Sequence, residues 1–103
     1  MKKVIGKKLY DTETATLIAE YWNVLGKGDF NYLSDDLYVT PNGNYFLSGE
    51  GGALTKYGVN CGNSLTGSSN IFSLTREEAY GWLERHKKTK VIIEHFSDLI
   101  EEA

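Results

Sequence analysis

The tripeptide Pro41-Asn42-Gly43 constrains this chain more than any other feature. Proline presets φ at the first turn position, asparagine tolerates a left-handed backbone and glycine supplies positive φ, so the three residues reverse the chain. β-prone runs at residues 37–40 and 44–47 flank the turn, and the pattern predicts a β-hairpin over about residues 37–48. A lone hairpin is marginal in water, so this one needs a third strand or a helix against one face.

Both are found in the remaining sequence. Thr75-Arg76-Glu77-Glu78 is a capping box, and Ala79, Trp82, Leu83 and His86 recur at helical spacing behind it, predicting a helix over about residues 75–87. Arg85, Lys87 and Lys88 near its end suit the helix dipole. Ile92, Ile93, Phe96, Leu99 and Ile100 form an apolar stripe, with Glu94, Asp98 and Glu101 off it, predicting a second helix over about residues 90–102 capped by Thr89. Residues 13–25 fit two patterns: Leu17, Ile18, Tyr21, Trp22 and Leu25 suit a helical face, while Thr14, Thr16, Tyr21 and Trp22 favour a strand. The reading leans to strand. The expected fold is therefore α+β: one domain with a three-stranded antiparallel sheet packed by two C-terminal helices. Residues 49–70 are rich in glycine, serine and asparagine without apolar periodicity, and read as a long loop, the first place to look for a site.

With 103 residues, 41% hydrophobic and 24% charged, the chain has globular composition and length for one core. Cys61 is the only cysteine, which excludes an internal disulfide and the paired thiolates of a structural zinc site, and fits a reducing, cytoplasmic compartment. Lys7, Lys8 and Asp11 interrupt the apolar run a secretory signal needs, and no stretch approaches the ~20 apolar residues that cross a bilayer. No membrane partner is expected.

No catalytic centre is legible. Gly49-Glu50-Gly51-Gly52-Ala53-Leu54-Thr55-Lys56 superficially resembles a phosphate-cradling loop, but it lacks the required spacing and Glu50 would repel a phosphate. Cys61 has no orienting third group to pair with His86 or His95, and the two histidines lack metal-ligand spacing. The expectation is a non-enzyme without cofactor or metal. Aromatics crowd residues 21–57, as Tyr21, Trp22, Phe30, Tyr32, Tyr38, Tyr45, Phe46 and Tyr57, beside the carboxylates Asp29, Asp35, Asp36 and Glu50. Strand alternation keeps Tyr38 and Tyr45 off the face of Leu37, Val39 and Phe46, so exposed tyrosines among acids are expected, a composition suited to protein contact. The candidate protein-binding residues are Tyr32, Asp35, Asp36, Tyr38, Tyr45, Glu50 and Tyr57. The alternative is a nucleic-acid-binding regulator whose sheet enters a groove while Lys7, Lys8, Arg85, Lys87, Lys88 and Lys90 hold phosphates. The net charge of −3 and the acidic middle of the chain disfavour it.

Lys8-Leu9-Tyr10-Asp11-Thr12-Glu13-Thr14-Ala15, Leu37-Tyr38, the stretch from Gly43 to Phe46, Gly49-Glu50-Gly51-Gly52, Thr55-Lys56-Tyr57 and Leu74-Thr75-x-Glu77-Glu78-Ala79-x-x-Trp82 together resemble a family of uncharacterised small proteins. Its members are carried by phages, plasmids and conjugative elements of Gram-positive bacteria. The resemblance spans roughly residues 7–86 and brings no catalytic residues. It implies a mobile-element setting, in which small acidic proteins inhibit host defences, as anti-CRISPR proteins do, or regulate transfer and replication. The partner it implies is a host or phage protein, a CRISPR effector among them.

Overall fold

In the computed structural model, which describes residues 1–103, the chain opens with a hairpin of β1 (Lys2–Ile5) and β2 (Lys8–Asp11). Gly6 and Lys7 join them, both at positive φ, the conformation a two-residue turn needs to match the strands' twist. Four longer strands follow: β3 (Thr16–Trp22), β4 (Leu33–Val39), β5 (Tyr45–Gly51) and, beyond a short hairpin of β6 (Val59–Cys61) and β7 (Ser64–Thr66), β8 (Ser68–Leu74). They form one antiparallel sheet in the order β3-β4-β5-β8. The chain ends with helices α1 (Arg76–Arg85) and α2 (Thr89–His95) and a single 3-10 turn at Ser97–Leu99. No helix is long and apolar enough to cross a membrane.

The α+β class is as expected, and the hairpin around Pro41-Asn42-Gly43 is β4–β5, pairing Leu37 with Leu47 and Val39 with Tyr45. Residues 13–25 supply a strand. The capping box forms in full: Glu78 N–H donates to Thr75 Oγ1 (3.1 Å) and Thr75 N–H to Glu78 Oε1 (2.8 Å). Three expectations need correction. The sheet has four strands, not three. Residues 49–70 are not a long loop: β5 runs on to Gly51, a two-residue Gly62-Asn63 turn closes β6 onto β7, and β8 begins at Ser68. The second helix ends at His95 instead of near residue 102. Lys88 stands at its start without a side-chain cap, so Thr89 does not cap it, and Phe96 leaves helical geometry (φ −132°) to bury its ring. Ile93, Leu99 and Ile100, expected on a buried stripe, are exposed.

Strand alternation gives the sheet two faces. One carries Ala19, Leu37 and Leu47 against Ala79, Trp82 and Leu83 of α1 and against Ile92 and Phe96. On the other, Phe46 and Ile71 are buried beneath the N-terminal hairpin, with Tyr10 set edge-on to Phe46 (5.4 Å) and Tyr38 stacked on it (5.1 Å). Lys3 and Lys8 donate to Asn70 and Asn44, fixing the hairpin to the sheet.

Asp35 lies on the helix-side face, only 1% exposed. Its Oδ1 accepts from the Tyr57 hydroxyl (2.5 Å), and its Oδ2 accepts from Lys56 Nζ (2.6 Å) and Trp82 Nε1 (3.2 Å). A buried carboxylate survives only if its oxygens are bonded and its charge is paired, and three donors from two other parts of the chain do both. Burial and the bond to Asp35 push the Tyr57 phenol far above its ordinary pKa, so it remains a proton donor. The neighbouring strand makes room: a Cβ at Gly49 would run into the Ser34 carbonyl and the Tyr57 hydroxyl. In urea titrations, Asp35→Ala should lose about 3–5 kcal/mol of stability, because the donors that converge on it are stranded. Tyr57→Phe should lose about 1–3 kcal/mol. A loss below 1 kcal/mol for Asp35→Ala would contradict this account.

Candidate functional site

Beyond the N-terminal hairpin, the second face of the sheet is only partly covered where β3, β4 and β5 run side by side: Met1 lies over the buried Ser48, whose hydroxyl donates to its thioether (3.7 Å), and the remainder is open. Glu20, Trp22, Ser34, Asp36, Ser48 and Glu50 alternate with the core residues Ala19, Leu37 and Leu47 and so share this face. The register places Glu20 directly opposite Asp36 and Trp22 opposite Ser34. Glu50 faces Ser34 on the other side, one diagonal step from Asp36. A shallow depression of about 330 Å³, walled by Met1 and lined by Ser34, Asp36, Ser48, Glu50 and Ser69, runs through the group. Trp22, 55% exposed, borders a second hollow with Tyr32 and Lys27.

Only one cation answers these carboxylates, Lys27 at 3.6 Å from Glu50, and both side chains are largely in solvent. Such an exposed pair contributes little. Glu20 and Asp36 have no salt-bridge partner, and like charges directly opposed across two strands are destabilising. Partial burial, the Glu20 carboxylate and then Asp35 raise the Asp36 pKa above the ordinary aspartate value. Partial burial, then the Asp36 and Glu20 carboxylates, also raise the Tyr38 phenol.

The structure divides the expected protein-binding residues. Asp36 and Glu50 lie on the open half-face, and Tyr32 lines its margin with most of its ring buried. Asp35 and Tyr57 do not belong to any exposed face, being each other's partners in the interior. Tyr38 is stacked on Phe46, and Tyr45 packs against Phe96 on the helix side, so neither tyrosine is the free contact expected from alternation. Sequence reasoning missed Glu20, Trp22, Ser34 and Ser48. Their signal was the alternation of Ala19 and Tyr21 with Glu20 and Trp22, usable once residues 16–22 are a strand.

The basic residues proposed for nucleic acid do not converge. Lys7 and Lys8 sit at the tip of the N-terminal hairpin, whereas Arg85, Lys87, Lys88 and Lys90 ring the α1–α2 corner on the opposite side of the sheet. Cys61 is exposed on the β6–β7 hairpin. His86 is stacked on Tyr21 (3.9 Å) and edge-on to Trp82, and burial, aided by Arg85, Lys56 and Lys88, lowers its pKa. No group of three or more His, Cys, Asp or Glu side chains is placed to hold a metal.

Fold and half-face together define a small antiparallel α+β domain with one acidic, unpaired sheet surface. No protein-family model, curated protein or solved structure matches the chain.

A carboxyl whose pKa rises on folding favours the folded state below the unfolded pKa, and that contribution is lost as pH rises through the folded value. At neutral pH the ionised Glu20–Asp36 pair therefore opposes folding. Asp36→Asn should raise stability at pH 7 by about 0.2–1 kcal/mol, and the gain should vanish near pH 3. Denaturant titrations at the two pH values check this, and a destabilised variant at pH 7 would refute it.

Proposed function

We propose that this chain is a non-enzymatic protein-binding module that offers its acidic half-face to a basic surface on a protein partner. The observation that carries the reading is the Glu20–Asp36 pair: two carboxylates opposed at a cost to stability with no cation between them. Natural sequences retain such costs where a surface has work to do. A basic partner removes the cost on binding, because opposite potentials across an interface attract and orient the two surfaces. Trp22 adds a large, rigid, exposed aromatic at the rim, the residue type that most often anchors an interface.

Basic surfaces of this kind are common on proteins that handle nucleic acid, where Lys and Arg await phosphates. A row of carboxylates on a firm sheet competes for such a surface. Joined to the resemblance to mobile-element proteins, this supports an inhibitor of a bacterial defence complex, with the positively charged nucleic-acid channel of a CRISPR effector as a fitting target. A nucleic-acid-binding role draws less support, since the cations it needs lie on two sides of the sheet.

The test is retention of proteins from a nuclease-treated bacterial lysate by the immobilised chain, in parallel with a Glu20→Lys/Asp36→Lys/Glu50→Lys variant. The wild type should retain a stoichiometric basic protein, released by salt, and the variant should lose it at least tenfold. Equal retention by both, or retention only while nucleic acid is intact, would overturn the reading.

A further inference from the structure

One residue of α1 is not explained by the packing around it, and that is Gly81. Glycine inside a helix is unfavourable relative to alanine, and it is kept where a Cβ would collide or where something must approach the backbone closely. No collision exists here: a Cβ at Gly81 would meet only the Arg85 guanidinium, at an ordinary 3.5 Å. What Gly81 does border is a cleft of about 450 Å³ between α1 and the strands β5 and β8, within the size range of ligand sites. Leu47, Phe72, Leu74 and Trp82 give it an apolar lining. Leu47 and Trp82 are core residues, whereas Phe72 and Leu74 are only half-buried.

Glu77, Gly81 and Arg85 stand at i, i+4 and i+8, so they form one stripe along the cleft, about 12 Å from the first Cα to the last. Both charged ends of the stripe are free: Glu77 and Arg85 are exposed and make no salt bridge. The other two charges at the cleft are engaged, Glu78 by the Thr75 N–H of the capping box and Lys56 by the buried Asp35. An acid first and a base last suit the helix dipole, but the dipole asks nothing of the residue between them. The cleft lies on the helix side of the sheet, away from the acidic half-face, and Asn70, where Lys3 reaches β8, does not line it.

We propose that this cleft binds an extended peptide segment laid along α1, with a basic residue at Glu77, an apolar residue over Gly81 and an acidic residue at Arg85. An extended chain puts residues i, i+2 and i+4 on one face and spaces the outer two about 13 Å apart, close to the length of the stripe. The segment recognised therefore reads base, any residue, apolar residue, any residue, acid. Its central side chain reaches the apolar lining past the helix backbone, where a larger residue at position 81 would stand in the way. The Arg85 guanidinium, which reaches back towards Gly81 at the rim, offers a fork of donors that fits a carboxylate. A segment with like charges at both ends meets repulsion at one of them, so the cleft selects for opposite charges as well as for the apolar residue.

Titration of the isotope-labelled full chain with the end-capped peptide Lys-Ala-Leu-Ala-Asp, followed by amide chemical shifts, tests this. The amides of Phe72, Gly81 and Arg85 should move together while those of Glu20 and Asp36 stay in place. Peptides with Lys at both ends or Asp at both ends should bind roughly three- to fivefold more weakly, the worth of one exposed ion pair. Arg85→Glu should invert that order and prefer the two-lysine peptide. Gly81→Leu, which blocks the seat while favouring the helix, should weaken binding about tenfold with far-UV circular dichroism unchanged. The Glu20→Lys/Asp36→Lys/Glu50→Lys variant should bind the peptide as the wild type does, which separates this site from the acidic half-face. No shift at Gly81 with millimolar peptide, an order of peptides unchanged in Arg85→Glu, undiminished binding by Gly81→Leu, or lost binding in the half-face variant would overturn the proposal.

Discussion

Asp35 places a carboxylate between the sheet and α1, and both the segment after β5 and α1 are tied to it. The strand that carries it is central, the segment after β5 delivers Lys56 and Tyr57, and α1 delivers the Trp82 indole. Lys56 remains 40% exposed, so its ammonium keeps part of its hydration while neutralising the carboxylate, which lowers the cost of a buried ion pair. Replacing these groups with apolar ones would not reproduce what they fix. A carboxylate with three donors specifies the height of α1 above the sheet and the path of residues 52–58 across it, whereas apolar packing alone tolerates sliding.

The next residue shows the opposite solution. Asp36 points to the other side of the same strand, where it meets Glu20 and finds no donor of opposite charge. The period of two along β4 therefore separates a structural acid from a surface acid by a single peptide. One is held by partners and fixes the fold. The other is left against a like charge, and the fold bears the cost. That contrast is why the acidic half-face reads as a binding surface, and why the exposed Trp22 beside it reads as part of the same patch.

The elements most legible in the sequence were those set by local chemistry. Pro41-Asn42-Gly43 specifies its hairpin and Thr75 with Glu78 its helix start, because their partners lie within a few residues. The fourth strand was hidden because Ser68-Ser69-Asn70-Ile71-Phe72-Ser73-Leu74 shows little alternation, and what makes it a strand is the neighbouring β5. The Gly62-Asn63 turn was present as a signal but was masked by the glycine and serine around it. The tyrosines misled for a related reason. Tyr57 is buried against Asp35, far back along the chain, and no local pattern announces a hydroxyl's distant acceptor, while Tyr38 is half-buried by stacking on Phe46 across the hairpin. Of the expected binding residues, Asp36 and Glu50 were legible as surface acids, while Asp35 looked the same in sequence and is not on the surface at all.

Carboxyl-detected NMR titration of Asp36, in the wild type and in Glu20→Gln, measures the unpaired acidic pair directly. Asp36 should titrate above the ordinary aspartate value and move back towards it when Glu20 loses its charge. An Asp36 carboxyl that titrates at or below the ordinary value and ignores the substitution would mean that the half-face is already compensated, and the case for it as a binding surface would fall.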